Sequence, residues 1–431
     1  MVVVVGGAVV VVVVVVVDGG AVVVVVVGGA AVVVEPAVDA ATEGSACSAS
    51  PQPASMRMAT IAVVFQSLCP VSIVITPVRK AISNPSDAIR SGGRSQGVPM
   101  QVYELAGPGT VDVPRLHAVD RLEFEPAAGE ISIDVAACAV CRTDLQLIEG
   151  DLEARQLPIV PGHQVVGRVR AVGSEVEQWR EGDRVGIAWL AGACGSCAQC
   201  REGRENLCDR AQFTGWDRDG GFAESMIARA DFVYAIPPGF SDIEAAPLLC
   251  GGIIGYRSLR VAGVTPGSRV GLYGFGASAL LAFQVAQHWG CEVFVATRSR
   301  AEQSRALEMG AAWAGSYHEQ PPVPVDAAIT FAPVGYVVVE ALKGLRPGGT
   351  VAINAIHLDT VPEFPYGLLW MERGIRSVAN FTRQDAAEFL RLAGEIPIET
   401  VVDDYPLTDV NLALRRLKTG EVEGAAVLRN G

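Results

Sequence analysis

The chain has 431 residues, enough for two or three domains, and it carries 34 basic against 47 acidic side chains, a formal net charge of −13. An acidic chain without a clustered basic face does not fit a nucleic-acid binder. Ten cysteines at this length are too sparse for a disulfide scaffold, and clustered thiols in a reduced compartment are more often metal ligands than bridges.

The first segment in chain order is MVVVVGGAVVVVVVVVVDGGAVVVVVVGGAAVVV, a low-complexity run with no period that would define a buried face. Ala40 to Pro99 follows, rich in Ser, Pro and Ala. Five acids (Asp18, Glu35, Asp39, Glu43, Asp87) and five bases (Arg57, Arg79, Lys80, Arg90, Arg94) leave this arm neutral, so the whole negative surplus lies beyond it. A membrane segment needs about 20 apolar residues, and Asp18 with repeated glycines interrupts the run. A secretory signal needs a basic leader, and no Lys or Arg precedes Arg57. The expectation is a disordered, low-complexity arm over residues 1–99, with Met100 the start of the folded protein, no membrane partner and a cytoplasmic location.

From Met100 the chain reads as folded. EISIDVAACAV and GRVRAVG are strand-like with polar alternation, and Gly-Asp turns punctuate them, as in REGDRVGIAW. Past Glu244 short apolar strands alternate with helix-length segments: SRVGLYG, ASALLAFQVAQHWG, CEVFVAT, RAEQSRALEMGA. This βαβ order predicts a parallel sheet. After about Gln384 the pattern is mixed again.

Cys194, Cys197, Cys200 and Cys208 are spaced C-x2-C-x2-C-x7-C. The ferredoxin run closes with three intervening residues and a proline, and here seven intervene and Asp209 follows. Four thiolates around one tetrahedral zinc fit best; such a site is closed, so it staples a loop and does no chemistry. Chemistry must therefore lie elsewhere. CAVCRTDLQ, PGHQVVGRV and AAPLLCGGIIGYRSL contain Cys141, His163 and Cys250. Singly each is weak, since a lone histidine or apolar cysteine is more often core. Together they offer two thiolates and an imidazole, which leave zinc an open fourth position. GLYGFGASA places Gly274, Gly276 and Ala279 as G-x-G-x-x-A between a strand and a helix, the context a dinucleotide fingerprint requires.

With these motifs in this order, the stretch from Met100 to Gly431 resembles the zinc-dependent alcohol dehydrogenases of the medium-chain dehydrogenase/reductase superfamily. The resemblance implies an α/β chain: a β-rich, GroES-like catalytic domain over 100–245 with a zinc lobe, a Rossmann domain with a doubly wound parallel sheet over 246–384, and a return to the catalytic domain over 385–431. It implies two Zn2+ per chain, the catalytic one on Cys141, His163 and Cys250. It matches Thr143 to the hydroxyl that bonds the reacting alcohol and takes its proton, and Asp144 to the carboxylate that orients the ligand histidine. Arg142 and Arg383 match residues facing the cofactor pyrophosphate, and Trp189 an aromatic that narrows the substrate pocket. Trp216 and Trp370 are further aromatic candidates without a place. A homodimer or homotetramer is expected.

Two departures from the family pattern stand out. Gln164 follows His163 where the family has Glu, so exchange of that side chain onto the metal is in doubt. Gln146 replaces a histidine at the outer station of the proton relay and cannot take up a proton near neutral pH. The second Rossmann strand ends at Thr297 without the acid that holds the ribose 2′-hydroxyl of NAD, and Arg298 follows. A guanidinium there pairs with a 2′-phosphate, which favours NADP over NAD. The expected activity is hydride transfer between an alcohol, a primary one by the narrow pocket and Thr143, and its aldehyde, with a cinnamyl-type alcohol as a variant. The alternatives are a zinc-free reductase of the same superfamily and a non-enzymatic zinc- and nucleotide-binding relative.

Overall fold

The structure is a computed structural model and describes residues 2–5, 8–17, 20–27, 30–34, 99–123 and 125–431. It divides into two compact units, Met1–Arg90 and Ser91–Gly431. In the first, Val2–Val5, Ala8–Val17, Gly20–Val27 and Ala30–Val34 are strands paired antiparallel in chain order. Valine is β-branched and favours extended backbone. A run of valines nevertheless presents the same faces at every two-residue offset, so side chains alone cannot select one register. The portion of the arm over 35–98 lies outside the described residues.

In the second unit the catalytic half is built on a seven-stranded sheet. Its main path runs Val233–Ala235, Arg184–Ile187, Gln164–Val172, Glu130–Val140, Ala425–Arg429, Val402–Pro406, and Ser225–Arg229 also pairs with Glu130–Val140. The last two strands of the path come from the C-terminal segment, so the chain returns to this sheet after the cofactor half. Glu130–Val140 is central, and only Asp134 along it is exposed. The polar alternation expected from the sequence gives way to burial on both faces. Ala137 and Ala139 pack into one core cluster, while Ile131, Ile133, Val135, Cys138 and Val140 pack into another.

The cofactor half is a six-stranded parallel sheet in the order Trp313–Gly315, Glu292–Ala296, Arg269–Tyr273, Val325–Thr330, Leu345–Ile353, Gly374–Ser377. The chain starts at the third position, moves outward on one side, then crosses to the other. This is the doubly wound pattern, whose crevice opens at the carboxyl ends of the strands where the order reverses. Helix Ala277–His288 follows the first strand and buries Ala279, Leu280, Leu281, Ala282 and Phe283.

The two halves are tied by helices Gly251–Val261 and Arg383–Glu395. Asp385, fully buried, caps the second helix through Thr382 and accepts hydrogen bonds from Arg257 and Arg260 of the first at 3.0 and 2.9 Å. A buried carboxylate is tolerated there because both oxygens have charged or capping partners. Among the described residues no helix is long and apolar enough to cross a membrane.

Strand Pro99–Leu105 pairs with Leu116–Leu122, and every site motif lies beyond it. A chain beginning at Met100 is therefore expected to fold cooperatively and to bind metal as the full chain does. Loss of a cooperative melt by circular dichroism after this truncation would show that the arm is needed.

Candidate metal and cofactor site

Three elements bring three donors together. Cys141 is the N-cap of helix Arg142–Glu149, and Cys250 is the N-cap of helix Gly251–Val261. His163 immediately precedes strand Gln164–Val172, behind Gly162 at φ +95°. A Cβ on Gly162 would lie 2.5 Å from the Phe222 ring and 2.9 Å from Cys138 Sγ, so glycine is required to let the histidine enter. The Cys141, His163 and Cys250 donor atoms all lie within 4.8 Å of one another. Cys141 Sγ is 3.4 Å from His163 Nε2, close to the ~3.6 Å edge of a tetrahedron with ordinary zinc–sulfur and zinc–nitrogen distances.

The shell behind these donors is buried. Asp144 Oδ1 is 3.1 Å from His163 Nδ1, with side chains 2% and 1% exposed. If Nδ1 donates to the carboxylate, Nε2 keeps its lone pair for a metal. Asp144 Oδ2 accepts from the Cys141 amide at 2.8 Å, closing a capping box. One carboxylate thus fixes two of the three donors. Burial pulls the His163 pKa down, but the Asp144 carboxylate and the Cys141 sulfur outweigh it and leave the imidazole raised to about 10. The Cys141 thiol is pushed up, first by its hydrogen bond with Cys250 and then by burial. A metal bound here must displace these protons, because thiol and imidazole ligands bind deprotonated. Asp144→Asn is expected to weaken zinc affinity about 10- to 100-fold, read by chelator competition. An unchanged affinity would mean that the carboxylate serves the helix cap alone.

Thr143 is half-buried in the first turn, and its amide donates to Cys141 Sγ at 3.3 Å. Gln164 is buried, and its Nε2 donates to the Ala139 carbonyl at 3.2 Å. An ionised Glu could not make that bond, so the amide suits this backbone environment. Gln146 is half-buried, with no side-chain hydrogen bond among the described residues.

Trp189 packs its ring edge-on to His163, with centroids 4.7 Å apart. It also stacks with Phe213 at 5.3 Å and with Trp216 at 5.8 Å. Arg155 lies 3.8 Å over the Trp216 ring and bonds Asp217 at 3.0 and 2.9 Å. This places Trp216, which sequence reasoning left unplaced. Phe213 and Arg155 were missed, since nothing in the spacing links them to Trp189. Trp370 is exposed and packs against Tyr366, 6.0 Å away.

The second cysteine cluster lies between strands Leu190–Gly192 and Gln212–Phe213. Cys194, Cys197, Cys200 and Cys208 have sulfurs within 4.8 Å of one another and form no disulfide. Cys194 and Cys200 are 3.8 Å apart, the edge of a zinc–sulfur tetrahedron with bonds of about 2.3 Å. Amides of Ser196 and Cys197 donate to Cys194 Sγ at 3.4 and 3.3 Å, and that of Arg210 donates to Cys208 Sγ at 3.4 Å. The Ser196 and Cys197 amides pull Cys194 down to about 5, whereas burial and the neighbouring Cys197 thiol push Cys200 up to about 12. Four sulfurs this close cannot all ionise unless a cation shares them.

The glycine turn follows strand Arg269–Tyr273. Gly274 has φ +99°, and its added Cβ would sit 3.1 Å from the Ala332 amide nitrogen. Gly276 is the N-cap of helix Ala277–His288 without any side-chain cap, and a Cβ there would meet nothing within 4 Å. The first amides of this helix are left for an anion, and the space before them is open, which fits a pyrophosphate. Ala279 is fully buried where the helix meets the sheet. Arg142 and Arg298 are exposed, and Thr297 is buried.

Arg383 makes contacts within the protein. Its amide and Nε donate to Glu205 at 3.0 and 3.2 Å, and its guanidinium lies 4.8 Å over the Phe232 ring. Glu205 begins the short helix Glu205–Leu207, just before Cys208. These contacts tie the four-cysteine lobe to helix Arg383–Glu395.

Residues 127–238 match the family model described as the alcohol dehydrogenase GroES-like domain. A curated relative, the probable alcohol dehydrogenase AdhA of Mycobacterium tuberculosis (strain CDC 1551 / Oshkosh), is 48% identical over 335 residues, covering 76% of this chain and 97% of its own. Among solved structures, a cinnamyl alcohol dehydrogenase from Sorghum bicolor superposes with a TM-score of 0.69 at 26% identity, over 77% of this chain and 98% of that one. A cobalt- and zinc-bound thermostable alcohol dehydrogenase from Pyrobaculum aerophilum gives 0.70 at 25% identity, over 77% and 100%. By sequence and by fold, this chain belongs to the alcohol dehydrogenases of the medium-chain dehydrogenase/reductase superfamily.

Proposed function

We propose that this protein interconverts a primary alcohol and its aldehyde, using one zinc at Cys141, His163 and Cys250, a second at the four-cysteine lobe, and a nicotinamide dinucleotide, with NADP favoured. The observation that carries this reading is the convergence of two thiols and one imidazole at 4.8 Å or less, backed by the buried Asp144. Alcohol dehydrogenases are themselves the type example of a catalytic set of two cysteines and one histidine.

When bound, zinc makes a coordinated hydroxyl acidic enough to ionise near neutral pH, and the nicotinamide accepts the hydride. The chain's own residues do the rest. Asp144 holds the His163 ring in one orientation. Thr143, in the same helix turn as the Cys141 cap, supplies a hydroxyl that takes the substrate proton and passes it on. Gln146 can relay a hydrogen bond without storing the proton, so its exit needs water or a cofactor hydroxyl. Trp189 braces His163 on one side and narrows the space beside it. Arg142, exposed beside the Cys141 ligand, and the amides after Gly276 receive the pyrophosphate. Arg298, exposed and without an ion pair among the described residues, is suited to the 2′-phosphate of NADP.

The domain boundaries at 245 and 384, and a homodimer or homotetramer, belong to the same reading. The test is a panel of primary, secondary and cinnamyl-type alcohols with their carbonyl partners, run with both dinucleotides on protein of measured zinc content. Turnover of primary alcohols with two zincs per chain is expected. One zinc per chain with reduction of activated double bonds would point to the zinc-free reductases instead. Two zincs and bound dinucleotide without any turnover would favour a non-enzymatic relative.

A further inference from the structure

The helix after the second parallel strand opens with Ser299, Arg300, Ala301, Glu302. Ser299 Oγ accepts from the Glu302 amide at 3.3 Å, and Glu302 stands in the first turn, where the helix end favours a carboxylate. A serine three residues before a glutamate would ordinarily close a capping box, with the carboxylate bonded back to the serine amide. Here it does not. The Glu302 carboxylate turns to the end of the strand and accepts a hydrogen bond from the Thr297 hydroxyl. The Ser299 amide donates to Thr297 Oγ1 at 3.4 Å.

The backbone sets where this carboxylate stands. Tyr273 pairs with Ala296, and the Gly274 amide donates to the Ala296 carbonyl at 2.7 Å. Thr297 is thus the next residue along from the register position of the glycine turn. Rossmann sites carry the acid that holds the ribose 2′-hydroxyl at this strand end. This chain has Thr297 there, with an acid bonded to it from the following helix.

We propose that Glu302 tempers the NADP preference that Arg298 confers: its carboxylate, delivered from the helix and held by Thr297, accepts from the 2′-hydroxyl of NAD and opposes the 2′-phosphate of NADP that Arg298 attracts. This rests on reading Thr297–Glu302 as the cofactor's ribose site. The two charges act on a common neighbour. Burial raises the pKa of Tyr317, a hydrogen bond with Thr297 lowers it, and Glu302 raises and Arg298 lowers it further. Glu302 has no ion pair among the described residues to cancel its charge.

The experiment is an equilibrium titration of the full-length zinc-loaded protein with NADH and NADPH, followed by nicotinamide fluorescence. Calorimetry with 5′-AMP and adenosine 2′,5′-bisphosphate accompanies it. Glu302→Gln removes the charge, keeps the shape and keeps a residue suited to this helix position. It is expected to raise the ratio of NADPH to NADH affinity roughly tenfold, and Glu302→Lys more, the size of one like-charge contact exchanged for a neutral or attractive one. Thr297→Val, which releases the carboxylate, should move the ratio the same way by less. Arg298→Ala should move it in the opposite direction. A ratio unmoved in both Glu302 variants but moved by Arg298→Ala would overturn the role of Glu302 alone. A ratio unmoved by every variant would overturn the ribose-site reading as well. Thermal melts of each variant separate loss of binding from loss of fold.

Discussion

Cys250→Ser is expected to lower kcat/KM for alcohol oxidation by roughly a thousandfold or more, with little change in the melting temperature. The size follows from what the third donor does. Lewis-acid stabilisation by a bound metal is worth several kcal/mol in the transition state, and about 4 kcal/mol is a factor of a thousand in rate. Serine keeps the size of the side chain but is not a thiolate near neutral pH, so the set falls to one sulfur and one nitrogen. The fold should survive because Cys250 is half-buried at the start of its helix and makes no side-chain cap bond there. The helix is held by other contacts, including Arg257 and Arg260 on Asp385. Zinc content should fall from two per chain to about one. Full activity in this variant would remove Cys250 from the catalytic set.

Cys200→Ser should act in the opposite way, on stability first. A structural zinc contributes to folding outright, and binding free energies in small zinc domains reach about 10 to 16 kcal/mol. Only part of that is at stake here, because the lobe is also tied to the body. Arg383 bonds Glu205, and Asn206 Nδ2 donates to the Ala379 carbonyl at 2.6 Å. The expected result is one zinc lost per chain, a large fall in melting temperature or in soluble yield, and residual turnover in whatever protein remains folded. The lobe borders the active site through strand Leu190–Gly192, one residue after Trp189. Its loosening should therefore raise KM as well. A variant with unchanged stability and two zincs would show that the cluster is not a metal site.

Much of this molecule was legible in the sequence. The four-cysteine spacing is local, so one loop holds all the ligands and the linear pattern carries the geometry. The glycine turn is equally local: Gly274 needs a positive φ and Gly276 an open helix end, and both requirements act on the residues themselves. The order of short apolar strands and helices past Glu244 marked a parallel sheet because crossover connections need that length. Cys141, His163 and Cys250 lie 22 and 87 residues apart in the chain; their association was legible through family resemblance, and the residue types alone left each one weak.

Other features were decided only in three dimensions. Glu130–Val140 reads as an alternating strand, yet it is central and buried on both faces, because it is paired on both edges and its side chains enter two core clusters. Arg383 is drawn to Glu205, 178 residues away, and no local pattern encodes an ion pair between two helices brought together by packing. Trp216 joins Trp189 and Phe213 for the same reason. Asp144 could be assigned one task from the resemblance; that it both caps a helix and orients His163 required its two oxygens to be placed. The acid missing from the strand end was present as Glu302 in a serine-to-glutamate capping pattern. Sequence can mark such a pattern, but it cannot say whether the carboxylate turns back to its own helix or across to Thr297. Side chains choose among partners of similar energy by proximity, and proximity is set by the tertiary fold.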